Sequence, residues 1–153
     1  MSMMFTIPPT NYKTRLIIIV TGITVLLWSG LEDNNAVAVS LLGWVVATLS
    51  VVIFIMSNMG GQHFTQTSLL KISPLIGAII GAAATLVTVL LMLFKNVRHA
   101  HVFPDYPPQM MLDTLTRLPF WAVSGSFLLF GIILFWTMRP IESDDKGDIK
   151  STD

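Results

Sequence analysis

The chain has 153 residues, a length that suits one domain, with 53% hydrophobic and only 12% charged residues. Soluble domains carry about twice that charged share, so this composition excludes an ordinary solvated surface. Nine Lys/Arg balance nine Asp/Glu and cysteine is absent, which gives no sign of a nucleic-acid surface and excludes disulfides, thiolate metal sites and thiol nucleophiles.

Residues 1–15 form a short N-terminal segment with Pro8, Pro9, Lys13 and Arg15. Ser2 stands where N-myristoylation needs glycine. A first span is expected over residues 16–31. It gives about 24 Å of helix, enough to cross if Lys13 and Arg15 snorkel and Trp28 sits at the far interface. A signal peptide cut between Ala38 and Val39 fits the small-residue rule but would fall inside the next apolar segment, so an uncleaved span is the expectation. Glu32, Asp33, Asn34 and Asn35 read as a solvated turn, with Asp33, Asn34 or Asn35 available to N-cap the next helix.

The second span is expected over 36–56. Ser40, Gly43, Ala47 and Ser50 fall on one helical face and mark a packing seam. Residues 57–73, with Gly60 and Gly61, read as a connector. The third span, 72–94, lies between Lys71 and Lys95 and gives roughly 34 Å of helix, against a hydrocarbon core of about 30 Å. The chain is organised around this stretch. Gly77 and Gly81 form a small-xxx-small pattern, expected to serve packing within the bundle ahead of dimerisation.

Pro104, Pro107 and Pro108 then end the helix, and residues 109–118 read as a short amphipathic helix on the membrane surface. The last span is expected over 119–138, with Trp121 and Trp136 as interface anchors. Residues 139–153 read as a disordered polar tail. The fold class is therefore all-α: an integral membrane four-helix bundle of two transmembrane hairpins, with an interfacial helix before the last span.

Lys95, Arg98, His99, His101, Asp105 and Tyr106 form the one polar constellation. His99, His101 and Asp105 make a poor metal set, because i and i+2 diverge on a helix and zinc wants a further ligand. A Lys/Arg/His cluster beside an amphipathic helix suits anionic lipid headgroups or a partner contact better, and plain anchoring of these side chains at the membrane surface is the default reading. The spans contain no ionisable side chain of the kind that ion-coupled carriers need near the midplane. The chain lacks the membrane-embedded glutamate of small multidrug carriers and the loop cysteines of tetraspanins. No cofactor or metal is expected.

The expected function is that of a non-catalytic accessory, assembly or scaffold protein. An oligomeric pore or uncoupled carrier, and an enzyme acting on lipid headgroups at residues 95–106, are the alternatives. Expected partners are the bilayer, including its anionic lipids, and a membrane-protein partner or a second copy of the chain. With the N-terminus in the cytoplasm, Lys13, Arg15, Lys71, Arg139, Lys146 and Lys150 fall inside and Lys95, Arg98 and Arg117 outside, which favours both ends in the cytoplasm.

Overall fold

A computed structural model describes residues 4–9, 11–29, 31, 35–99 and 104–138. In chain order these form β1 (Met4–Thr6), α1 (Tyr12–Ser29), α2 (Ala36–Met59), β2 (His63–Thr65), α3 (Gln66–His99), α4 (Pro108–Thr116) and α5 (Leu118–Met138). Four of them, α1, α2, α3 and α5, are long and apolar enough to cross a membrane by length and composition. The turn residues Glu32, Asp33 and Asn34 and the tail 139–153 lie outside the described residues.

α3 is the axis of the fold. Its 34 residues make about 51 Å of helix, and α2 and α5 both pack along it. The α3–α5 contact is antiparallel and backbone-close. A Cβ placed on Gly77 would overlap the Gly125 carbonyl oxygen, and one on Gly81 would overlap that of Trp121. On the other side, a Cβ on Gly43 of α2 would overlap Thr88 Oγ1 and stand 3.1 Å from the Ala84 carbonyl oxygen. Ala47 is buried beside Gly43, Ser40 is half-buried, and Ser50 lies exposed at the end of that face. Without a hydrophobic drive between helices in lipid, such close approach supplies the van der Waals contact that holds them.

The hydroxyls of the long helices close on their own backbones. Ser40, Ser50, Thr85 and Thr88 each donate to the carbonyl four residues earlier. One such bond helps α3, which begins at Gln66 rather than at the expected Ile72, to run through Pro74. Pro74 lies inside the helix and has no N–H for the Leu70 carbonyl, but the buried Ser73 hydroxyl donates to that oxygen at 3.1 Å. A proline that would otherwise break the helix is thereby carried. The connector expected over 57–73 shrinks accordingly to the turn at Gly60 and Gly61 plus β2, with Gly61 at φ 83°.

Other expected bounds also move. α1 begins at Tyr12 and ends at Ser29, α2 runs on to Met59, and the amphipathic helix is α4, shortened to Pro108–Thr116. Asn35 caps α2, its side chain accepting from the Val37 and Ala38 amides at 2.9 and 3.3 Å, an arrangement worth about 1 kcal/mol. Pro119 sits in the first turn of α5, where its missing N–H costs nothing. It also separates α5 from α4.

Two features depart from a pair of hairpins. β1 pairs antiparallel with β2 in the register Phe5 opposite Phe64, so part of the expected N-terminal segment covers the α2–α3 turn. The pairing extends through the Ile7 amide to the Gln62 carbonyl at 3.2 Å. Second, α1 touches α2 and α3 only sparsely. Neither contact is as extensive as that of α5 with α3, so α1 is a peripheral helix rather than half of a tight hairpin.

Candidate functional site

The expected polar constellation falls where α1, α2, α3 and α4 converge. Lys95 is 0% exposed, although it follows a run of half-exposed apolar residues on α3. Its ammonium lies 4.9 Å from the Trp28 ring centroid, on α1, and 5.8 Å from that of Tyr106, which is likewise 0% exposed. A cation held against two aromatic faces keeps an electrostatic partner while losing water. Trp28 Nε1 is buried with no hydrogen-bond partner among the described residues, so this ring contributes its π face.

Asn96, the next residue, fixes Tyr106. Its Nδ2 donates to the Tyr106 carbonyl at 2.8 Å, and its Oδ1 accepts from the Tyr106 amide at 2.9 Å. This two-way pairing satisfies a segment whose backbone has no ladder to join, since Pro104 and Pro107 flank it. Val39 of α2, Met92 of α3 and Met111 of α4 close around the tyrosine. Here lies the large-side-chain core of the molecule.

Arg98 stands one turn further on and is exposed. Its Nη1 donates to the Leu26 carbonyl at 3.2 Å and to Ser29 Oγ, while Ser29 Oγ itself donates to the Leu26 carbonyl at 2.8 Å. Both partners belong to the last turn of α1, where the carbonyls lack intrahelical donors and the dipole favours a cation. Arg98 therefore acts as a C-cap supplied by another helix.

The structure thus brings together Lys95, Arg98 and Tyr106, with Asp105 half-buried beside the tyrosine. Lys95 and Tyr106 face inward. His101 and the side chain of His99 lie outside what is described. Sequence reasoning missed three participants: Trp28, read as an interface anchor, Ser29 and Asn96. An aromatic residue at one span end and a lysine at another was the available signal for Trp28. Nothing local marks Asn96.

Beside this knot, toward the middle of α1, an apolar cleft of about 560 Å³ opens between α1, α2 and α3. Thr21 and Ser50 are the hydroxyl residues in its lining, and the Ser50 hydroxyl is turned to Val46 of its own helix at 2.8 Å. The cleft exists because α1 is held at its ends. At one end Arg98 and Lys95 grip Ser29 and Trp28. At the other, Pro9, just ahead of the helix, lies against Gly60 beside the β1–β2 pair. The span between is packed loosely. Comparison with protein-family models, with curated proteins and with solved structures finds no match for the chain.

Proposed function

We propose that the chain is a multi-pass integral membrane protein, crossing the bilayer four times with both ends in the cytoplasm, and that it works as a non-catalytic accessory or assembly protein. The observation that carries the membrane reading is the distribution of side-chain size. Gly43, Ala47, Gly77, Ala84 and Gly125 are buried between helices, while Leu16, Ile19, Leu27, Phe54, Phe120, Phe127, Phe135 and Trp136 point outward. Small residues inside and large apolar ones outside suit a solvent of acyl chains, whereas water would make that exterior a liability.

The accessory reading rests on what the ionisable groups at residues 95–106 do. Lys95 is sealed beneath two aromatic rings and Arg98 caps α1, so both serve the fold before any substrate. Lys95 and Arg98 are two of the three cations that a cytoplasmic N-terminus would place outside, and both are engaged with other parts of the fold. The outward faces of α1 and α5 supply the surface that a membrane partner, or lipid, would meet.

Purification in mild detergent followed by mass spectrometry of co-purifying chains tests the accessory role. A stoichiometric second membrane protein is the expected result, and a lone homo-oligomer moves the reading to a pore. Reporter fusions after residues 33 and 150 test the topology. The expected pattern is an externally active reporter at 33 and a cytoplasmic one at 150, and an external C-terminal reporter sinks the four-span arrangement.

A further inference from the structure

We propose that the cleft between α1, α2 and α3 holds one acyl chain of an anionic phospholipid, whose phosphate meets the Arg98 guanidinium; the proposal rests on the membrane reading above. Ile18, Gly22 and Leu26 of α1 face Ile53 of α2 and Leu90 and Phe94 of α3 across the cleft. From Ile18 to Leu26 is about 12 Å along the helix, so the cleft takes a segment of one extended chain. Its volume lies within the range of small-molecule sites, roughly 300–1,000 Å³, and its walls are almost wholly hydrocarbon.

Charge complementarity selects the occupant. Arg98 follows Phe94 by one helical turn, and Leu26 both lines the cleft and accepts from Arg98, so the guanidinium stands at the cleft's end. Nη1 is committed to Leu26 and Ser29. Nε and Nη2 have no partner among the described residues, and they present the planar fork that binds a phosphate in bidentate fashion. An acyl chain in the cleft would thus carry its headgroup to the guanidinium. A helix from another protein would fill the apolar wall equally well but leave that fork without an anion.

Gly22 supplies a clean test. It lines the cleft, and a Cβ built on it meets nothing within 4 Å, so the side chain of Gly22→Leu starts into open space and fills the cleft. The protein is purified in detergent and offered phosphatidylglycerol or phosphatidylcholine of identical chains, and bound lipid is counted by native mass spectrometry. Wild type is expected to keep one phosphatidylglycerol and to prefer it about tenfold, the discrimination of a single charge-assisted contact worth some 1.4 kcal/mol. Gly22→Leu should lose both lipids while keeping its helical circular dichroism. Arg98→Gln, which retains an amide donor toward α1, should bind the two lipids equally.

Should Gly22→Leu fail to fold, Ser50→Leu fills the same space from α2 and is read in the same way. Equal retention of both lipids by wild type, wild-type retention by the cleft-filling variants, or a co-purifying polypeptide displaced by them in place of lipid each overturns the proposal. Alkaline carbonate extraction separates its failure from that of the membrane reading. A chain that stays with the membranes yet holds no lipid defeats the cleft alone. Release from the membranes defeats both.

Discussion

Gly81→Leu is expected to separate α5 from α3 and to lower thermal stability in detergent by an amount corresponding to about 3 kcal/mol or more, the upper end of overpacking costs. The reason is the identity of the opposing atoms. A Cβ at Gly81 would overlap the carbonyl oxygen of Trp121 and crowd Ala122, and these are backbone atoms that no rotamer change can move. Relief requires shifting the whole of α5. That shift would also open the Gly77–Gly125 crossing one turn away and the edge-to-face contact of Trp44 with Trp121, whose ring centroids are 5.7 Å apart. Gly131→Leu is the matched control on α5, because nothing lies within 4 Å of a Cβ there. It should melt with wild type. If Gly81→Leu also melts with wild type, α3 and α5 do not meet at these glycines.

The long apolar helices were legible in the sequence because each is a property of one contiguous segment: length, lack of charge, and small residues at helical spacing. The same signal located the seams at Gly43, Gly77 and Gly81, while their partners, Thr88, Gly125 and Trp121, needed the fold. The start of α3 was misplaced because the span was bounded by the charge of Lys71, whereas the helix runs back through that lysine to Gln66, with the Ser73 hydroxyl repairing the bond that Pro74 removes. β1 was invisible. Three residues of Met4–Thr6 have no diagnostic period, and the strand exists through pairing with a segment on the far side of two helices. Lys95 was read at the surface for a similar reason. A lysine ending an apolar run does snorkel by default, and only the arrival of Trp28 and Tyr106 from other segments turns it inward.

That inward lysine carries the second large effect. Lys95→Ala should loosen α4 and the end of α1 together, while leaving the α3–α5 contact near Gly77 and Gly81 intact. The variant removes a fully buried side chain of large volume and leaves a void beneath two aromatic rings, which by the scale of large-to-small core substitutions costs about 2–5 kcal/mol. Lys95→Met keeps most of the stem and gives up the charge. It should cost less, about 2 kcal/mol or under, because it forfeits the interactions of the ammonium, cation–π attraction among them, while filling the space and sparing a charge its desolvation. Hydrogen exchange of the protein in detergent reads the effect locally. Amides of α4 and of the last turn of α1 are expected to exchange faster in Lys95→Ala than in Lys95→Met, and faster in either than in wild type. Amides around Gly81 should keep their protection. Faster exchange throughout α3 would mean that Lys95 supports the whole bundle; unchanged exchange in α4 would mean that the Asn96–Tyr106 pair alone anchors the loop.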